Sequence, residues 1–285
     1  MKSREIRSLI VSRLTTIYDA AEAEAIAKAY VTDKLQPWLD DDKSRQQEME
    51  LPEFFFEDIN RLFSGTPLQY VTGIQYFSGY IFKVNESVLI PRPETEELVA
   101  WISDDVHNMD VAPDFTIIDI GTGSGCIPVI LKINHPSATI TATDISKDAL
   151  NVAAENARLN NAEINFQEAS IFDNSASHEM YDIIVSNPPY IPLSDASGMS
   201  TNVINYEPHS ALFVPDDDPL LFYKAISMFA VQHLKKNGVL YFEINPVSAG
   251  QLISYLKTCG FEEVICRDDL SGNPRFIRAG QMRVK

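Results

Sequence analysis

The stretch that decides the fold is Phe115-Thr116-Ile117-Ile118-Asp119-Ile120-Gly121-Thr122-Gly123-Ser124-Gly125. Its first six residues are mostly apolar and β-branched, which predicts a buried strand over 115–120. The three alternating glycines that follow predict a tight loop, and the apolar residues from Cys126 onward predict a helix. A strand, a glycine-rich loop and a helix in this order form the start of an α/β unit.

The same unit repeats along the rest of the chain. Further strands are predicted over 138–143, 164–168, 181–186 and 238–244, with helices over 149–159, 220–234 and 248–259. Two last strands, 262–266 and 275–279, are predicted to form an antiparallel pair. This alternation predicts an α/β fold with a doubly wound sheet covered by helices on both faces.

The glycine loop and an acid after the second strand predict a nucleoside-binding site. Asp144 follows Gly121 by 23 residues, close to the spacing of roughly 20 at which a carboxylate binds ribose hydroxyls. Cys126 stands where a dinucleotide fingerprint needs glycine or alanine, and Asp119 is placed to bind a cationic amino group. S-adenosylmethionine, which carries an amino acid tail and no phosphate, therefore fits better than NAD.

A second stretch, Ile183-Ile184-Val185-Ser186-Asn187-Pro188-Pro189-Tyr190, predicts a buried strand that stops at a double proline. The prolines hold Asn187 in a rigid corner at the strand's carboxyl end, where open α/β sheets bind ligands. The side-chain oxygen of Asn187 and a nearby carbonyl can accept both hydrogens of a planar NH2 group, and Tyr190 offers a flat face. The corner suits an amide or an exocyclic amine; the alternative is a loop without a chemical role.

Together these stretches resemble the class I methyltransferases that act on planar nitrogen, and in particular the PrmC/HemK family of peptide release factor N5-glutamine methyltransferases. The motifs that carry this resemblance are Pro67-Leu68-Gln69-Tyr70-Val71-Thr72-Gly73, Leu89-Ile90-Pro91-Arg92-Pro93-Glu94-Thr95-Glu96, Asp119 to Gly125, Ser186 to Tyr190, Tyr206-Glu207-Pro208 and Arg267-Asp268-Asp269-Leu270. They span about residue 65 to the C-terminus. Residues 1–60 match the family only in length and helical character.

The resemblance implies a class I S-adenosylmethionine-dependent methyltransferase: a doubly wound, mostly parallel seven-stranded sheet with an antiparallel last strand, plus a small N-terminal helical domain. It implies N5-methylation of the glutamine in the Gly-Gly-Gln motif of class-I peptide release factors. The catalytic residues implied are Asn187, Pro188 and Tyr190, and the substrate-binding residues implied are these three and Pro189. The cofactor-binding residues implied are Asp119, Gly121, Thr122, Gly123, Ser124, Gly125, Asp144, Asn187 and, at the adenine, Ile171 or Phe172.

Three regions are expected along the chain. Residues 1–65 read as a helical domain that recognises substrate, although a cap that only stabilises its neighbour is equally open. Residues 66–88 alternate between apolar and other residues, with Gly73 and Gly79 as turn signals, which predicts a β-hairpin linker. Residues 89–285 form the expected catalytic domain.

Composition excludes several classes of protein. No apolar run is long enough to cross a bilayer and no signal peptide is evident, so we expect a cytoplasmic protein without a membrane partner. We also expect a monomer. Three cysteines without a CxxC pair indicate neither a disulfide framework nor a metal site.

The net charge of −17 opposes a nucleic-acid partner. It therefore counts against the main rival, an N6-adenine methyltransferase. A second rival, a non-catalytic S-adenosylmethionine-binding scaffold, has no need of Asn187 and Pro188.

Overall fold

The computed structural model describes residues 3–41, 51–108, 114–173 and 179–282. The chain divides into two units. One comprises Met1–Ile74 with Ser200–Tyr206, and the other comprises Gln75–Met199 with Glu207–Lys285. In the described residues no helix combines the length and the apolar character that a membrane crossing requires.

The first unit is helical and has its own core. Among the described residues before 74, its helices are α1 (Ser3–Leu14), α2 (Ala20–Tyr30), α3 (Gln36–Asp41), α4 (Glu53–Phe63) and α5 (Leu68–Thr72), with a π-helical segment over Val31–Leu35 between α2 and α3. Ile6, Ile10, Ala27 and Phe55 are among the buried side chains that hold these helices together. Inside this core, the Asp58 carboxylate accepts hydrogen bonds from Tyr30 and Lys34.

One predicted strand is a helix in the structure. The alternation over 66–88 placed Tyr70 and Val71 in the first strand of a hairpin, but both lie in α5 and both are buried. Neighbouring residues of a strand face opposite sides, whereas Pro67 before α5 and Gly73, with φ of +77° at its end, favour one helical turn. The hairpin is shorter, with β1 (Ile74–Phe77) paired to β2 (Tyr80–Lys83).

The second unit is built on a seven-stranded sheet in the order β10-β11-β9-β6-β3-β4-β5. Its strands are β3 (Thr116–Ile120), β4 (Thr139–Asp144), β5 (Asn165–Glu168), β6 (Tyr181–Ser186), β9 (Leu234–Glu243), β10 (Phe261–Asp268) and β11 (Pro274–Met282). Neighbouring strands from β9 to β5 pair in parallel, and β11 is antiparallel to both β9 and β10. The predicted fold class is confirmed.

Helices cover both faces of this sheet. They are α6 (Pro93–Asn108), α7 (Cys126–Asn134), α8 (Lys147–Leu159), α10 (Leu221–His233) and α11 (Ala249–Cys259). Ile117, Ile183 and Tyr241 share a buried cluster with α6 and α7, while their neighbours Ile118, Ile184 and Phe242 share the opposite one with α10 and α11. This division follows from the alternation of side chains along a strand, and it makes the sheet apolar on both faces.

The connection after β6 is built from short elements. These are β7 (Ile191–Pro192), a 3-10 turn over Leu193–Gly198, α9 (Thr201–Tyr206) and β8 (Phe213–Val214), which pairs in parallel with β7. Helix α9 is counted with the helical unit. There the hydroxyl of Tyr206 donates to the Ser64 carbonyl.

A fully buried asparagine ties three segments of the second unit together. Asn156 on α8 accepts from the Lys83 N–H at 2.6 Å, and it donates to the Lys83 and Ser124 carbonyls at 2.9 Å each. The side chain therefore serves two backbone groups of the hairpin and one of the glycine loop. A buried backbone group that loses its partner costs free energy, because no water replaces it.

We expect Asn156→Ala to lower the free energy of unfolding by about 1–3 kcal/mol, since the Ser124 carbonyl loses a buried partner and two backbone groups of Lys83 lose a partly buried one. Asn160→Ala, at the residue that follows the same helix, is the matched control, because the Asn160 side-chain NH2 donates to the Ile81 carbonyl at an exposed position. Thermal unfolding followed by calorimetry compares the two variants. Equal losses would contradict the structural role of Asn156.

Candidate active site

A cavity of about 350 Å³ opens where the parallel strands end. The segments that follow β3, β4, β5 and β6 all contribute to its wall, as does the start of α6. Of the predicted site residues, those that line it are Gly121, Thr122, Gly123, Ser124, Asp144, Ile171, Phe172, Asn187, Pro188 and Pro189. The carboxyl edge of the sheet is therefore the candidate active site.

The glycine loop adopts a backbone that only glycine accepts easily. Gly121, Gly123 and Gly125 have φ values of +74°, +54° and +78°. A Cβ on Gly125 would lie 2.9 Å from the Cβ of Ala153, so this glycine also lets the loop pack against α8. A Cβ on Gly121 or Gly123 would meet nothing within 4 Å.

Asp144 fastens the glycine loop to the end of β4. One carboxylate oxygen accepts from the Gly123 N–H at 2.9 Å, and the other accepts from the Ser146 N–H at 2.9 Å. Each carboxylate oxygen has a second lone pair. Asp144 can thus hold the loop and still accept hydrogen bonds from hydroxyl groups in the cavity.

Asp119 is fully buried at the end of β3, one residue before the cavity wall begins. Neither of its carboxyl oxygens has a hydrogen-bond partner among the described residues, and the buried hydroxyl of Thr122 is also unpaired there. Burial raises the pKa of Asp119 to about 7; the neighbouring Thr122 hydroxyl opposes this rise, although the two groups do not meet hydrogen-bond geometry, and the negative charge of Asp144 adds to it. A buried carboxylate without a partner is unfavourable for stability and marks a position that a cationic ligand group could occupy.

The cavity wall after β5 is aromatic and aliphatic. Ile171 packs on the apolar cluster shared with α10, and the ring of Phe172 contacts that of Phe222 with centroids 5.2 Å apart. Phe222 and Ile145, which is 68% exposed, line the same cavity. This part of the site offers flat and apolar surfaces.

Asn187 is held at the corner after β6 by a chain of hydrogen bonds. Its side-chain NH2 donates to the Thr95 hydroxyl at 3.3 Å, and that hydroxyl donates to a carboxylate oxygen of Glu243 at 2.6 Å. The Tyr190 hydroxyl lies 3.5 Å from the other Glu243 oxygen, and the Tyr190 carbonyl accepts from Asn245. The NH2 of Asn187 is therefore engaged, which leaves its oxygen free to accept.

An ion pair holds the far end of the connection that follows β6. Arg92, just before α6, donates to Glu207, and the second oxygen of this nearly buried carboxylate accepts from the Ile90 N–H at 3.2 Å. Pro208, the next residue, lines the cavity. The pair thus anchors one wall of the site.

Three predicted site residues do not line the cavity. Asp119 is buried beside the wall, Gly125 packs against α8, and Tyr190 lies behind Asn187, next to Glu243. Sequence reasoning missed Thr95 and Glu243 as neighbours of the corner. The sequence signal that could have indicated Glu243 is its own position, as a charged residue at the end of the apolar strand β9.

Comparison with known proteins agrees with this geometry. The methyltransferase small domain family matches residues 106–205. A release factor glutamine methyltransferase from Flavobacterium psychrophilum is 44% identical over 212 residues, which are 74% of this chain and 74% of that protein. The chain belongs to the release factor glutamine methyltransferase family. The family predicted from the motifs is thus confirmed.

Membership of this family extends to the helical unit. A release factor glutamine methyltransferase from Enterococcus faecalis is 35% identical over 280 residues, covering 95% of this chain and 97% of that protein. Almost the whole chain is thus aligned with one family member, including the helices before residue 74.

Solved structures show the same fold at low identity. A methyltransferase from Pyrococcus furiosus has a TM-score of 0.50 at 15% identity, covering 71% of this chain and 89% of that one. The hMettl16 catalytic domain in complex with MAT2A 3′UTR hairpin 6 has a TM-score of 0.56 at 15% identity, covering 83% and 94%. Both likenesses concern the methyltransferase fold alone.

We expect Asp119→Asn to raise the Tm of the ligand-free protein by several degrees at pH 8. In the wild type, folding raises the pKa of Asp119 to about 7. The wild-type protein therefore loses free energy of unfolding as pH rises from 4 through 7, because the carboxyl group ionises more readily in the unfolded chain. The gain should therefore be full above pH 7 and should vanish near pH 4. Calorimetry across this pH range measures it.

Asp182→Asn is the matched control, with the opposite sign. Burial acts to raise the pKa of Asp182, but hydrogen bonds from Lys235 and Thr116 outweigh it and leave the pKa lowered. This variant should lose stability at pH 8. A loss of stability in Asp119→Asn as well would show that Asp119 has a partner in the folded protein.

Proposed function

We propose that this chain transfers a methyl group from S-adenosylmethionine to the side-chain nitrogen of the glutamine in the Gly-Gly-Gln motif of class-I peptide release factors. The observation that carries the proposal is the corner after β6. There the Asn187 NH2 is engaged by Thr95, so that the Asn187 oxygen is left to receive a planar NH2 group at the cavity wall. Membership of the release factor glutamine methyltransferase family supports the same substrate.

The residues of the cavity fit S-adenosylmethionine, which supplies a methyl group on a positively charged sulfur when bound. Asp119 carries the unpaired buried carboxylate that suits the cationic amino group of the methionine part. The loop from Gly121 to Gly125, including Thr122 and Ser124, would enclose that part, because Gly121 and Gly123 have no side chain and leave open space there. Asp144 would accept the ribose hydroxyls, and Ile171 or Phe172 would contact the adenine.

Asn187 and Pro188 would position the glutamine. An amide nitrogen is a poor nucleophile, because its lone pair is delocalised into the carbonyl. Two acceptors, the Asn187 side-chain oxygen and the Pro188 carbonyl, would orient the NH2 group and stabilise the positive charge that builds up on nitrogen during attack. Stabilisation that grows only in the transition state raises turnover rather than binding alone.

Tyr190 and the double proline would complete the substrate site. The two prolines fix the backbone at the corner, so the acceptors need not be ordered when substrate arrives. Tyr190, for which the sequence predicted a place against the substrate amide, is held by Glu243 and Asn245 outside the cavity wall and would support the corner from behind. No general base is required beside the nitrogen, since the methylated amide is acidic and loses its extra proton to water.

The helical unit is proposed to recognise the body of the release factor. The unit has a separate core, and the residues described as lining the cavity all belong to the other unit. The glutamine loop and the rest of the substrate would then contact different parts of the chain. This division predicts a higher kcat/KM for a whole release factor than for a short Gly-Gly-Gln peptide.

We expect mass spectrometry to find one added methyl group on the Gly-Gly-Gln glutamine of a release factor incubated with the protein and S-adenosylmethionine. An adenine-containing DNA duplex is incubated in parallel, because the exocyclic amine of adenine also suits the Asn187 corner. N6-methyladenine without methylated glutamine would reject the proposal and favour the nucleic-acid alternative. No methylation of either substrate would reject both.

Two variants separate the proposed roles of the site residues. Asn187→Ala should lower kcat by about 100-fold or more, since removing one charge-stabilising partner commonly costs a factor of 10² to 10³. Its affinity for S-adenosylmethionine, measured by calorimetry, should change little. Asp144→Ala should instead mainly weaken that affinity. Equal loss of affinity in both variants would assign Asn187 to the cofactor or to folding.

A further inference from the structure

A buried carboxylate lies directly behind the substrate corner and has no part in the reaction described above. Glu243, at the end of β9, is 1% exposed. One of its oxygens accepts from the Thr95 hydroxyl at 2.6 Å, and the other lies 3.5 Å from the Tyr190 hydroxyl. Both side chains held by Glu243 are therefore connected to the corner. Tyr190 is part of it, and Thr95 contacts it by accepting a hydrogen bond from Asn187.

The number of hydrogens on Thr95 decides the orientation of Asn187. A threonine hydroxyl has one hydrogen, and here it goes to the carboxylate of Glu243. The Thr95 oxygen can then only accept, and the group that it faces on Asn187 must be the NH2. The Asn187 oxygen is consequently turned away from Thr95, and a flipped amide would place two acceptors against each other.

We propose that Thr95 and Glu243 are positioning residues, which hold the Asn187 amide with its oxygen toward the nitrogen that accepts the methyl group. The inference rests on the proposed function, because it assigns the source of the orientation that the reaction needs. Neither residue touches the reacting atoms. Glu243 acts through Thr95 on Asn187, and on Tyr190 through its hydroxyl.

The same chain of hydrogen bonds also affects charge at the corner. A negative carboxylate polarises the Thr95 hydroxyl, which in turn draws on the hydrogens of the Asn187 NH2 group. The Asn187 oxygen becomes a better acceptor for a nitrogen on which positive charge builds up. Positioning by Glu243 should therefore appear mainly in kcat, where stabilisation of the transition state is measured.

Protonation of Glu243 would remove the restriction on Asn187. The titratable and charged groups that face Glu243 are Arg275 on β11, Glu94 on α6, Cys126 on α7, Tyr190 after β6 and Tyr223 on α10. Burial raises the pKa of Glu243 to about 7, although the Thr95 hydrogen bond and the charge of Arg275 lower it. A protonated Glu243 can donate to Thr95, whose own hydrogen is then free for the oxygen of a flipped Asn187.

The first test compares Thr95→Val with Thr95→Ser, using the full chain, S-adenosylmethionine and a Gly-Gly-Gln peptide. Valine keeps the shape of threonine and removes the hydroxyl, so we expect kcat to fall roughly 10- to 100-fold with little change in cofactor affinity. Serine keeps the hydroxyl and should restore most of the turnover. Wild-type turnover in Thr95→Val, or equal loss in both variants, would overturn the proposal.

The second test measures kcat/KM for the peptide against pH with S-adenosylmethionine held at saturation, which keeps the titration of Asp119 out of the profile. The wild-type value should fall below about pH 7, as Glu243 becomes protonated. Glu243→Gln should start from a lower value and lose this decline. Asp182→Asn, which also replaces a carboxylate by an amide but lies near the start of β6, should keep the wild-type profile. A decline that persists unchanged in Glu243→Gln would contradict the proposal.

A third measurement does not depend on turnover. The side-chain NH2 of Asn187, assigned in ¹⁵N NMR spectra by its loss in Asn187→Ala, should exchange its hydrogens faster in Thr95→Val than in the wild type at pH 8. Equal exchange would overturn the proposed hydrogen bond. If the wild-type protein methylates nothing, the proposed function is rejected. The exchange rates of the Asn187 NH2 group would still decide whether Thr95 holds it.

Discussion

The structure depends on the parallel pairing of β3 with β4 and β6. Ile117 lies opposite Ile140 on one side and Ile183 on the other, and the Ser186 hydroxyl donates to the Ile120 carbonyl at 2.6 Å. Both faces of the sheet are buried. If one strand slipped by one residue against its neighbour, every side chain of that strand would turn to the opposite face. The fixed register places the three strand ends at one edge, which brings the glycine loop, Asp144 and Asn187 to one cavity although they are far apart in sequence.

The same edge carries two acids whose burial opposes folding. Burial raises the pKa of both Asp119 and Glu243 to about 7. The pKa of most carboxyl groups in proteins lies well below that value. We propose a chemical use for each acid at its position. Asp119 would offer charge to a cationic ligand, and Glu243 would fix the direction of a hydrogen-bond chain. On this account the protein gives up stability at the site where chemistry requires charge.

Sequence patterns were sufficient wherever the information was local. The strand periods, the loop from Gly121 to Gly125 and the double proline after Asn187 each depend on a few neighbouring residues, and the fold predicted from them is confirmed. The helix α5 was predicted as a strand, because apparent alternation outweighed the signals of Pro67 and Gly73. The contacts of Thr95 with Asn187 and with Glu243 join residues 92 and 148 positions apart, so no local pattern could indicate them.

The central claim is that the corner after β6 receives a planar NH2 group through two acceptors. A crystal structure of the protein with S-adenosylhomocysteine and a Gly-Gly-Gln peptide tests it most directly. The account predicts the glutamine nitrogen about 3 Å from both the Asn187 side-chain oxygen and the Pro188 carbonyl, with the Asn187 NH2 on Thr95. A glutamine nitrogen bound away from the corner, or one facing the Asn187 NH2, would contradict it.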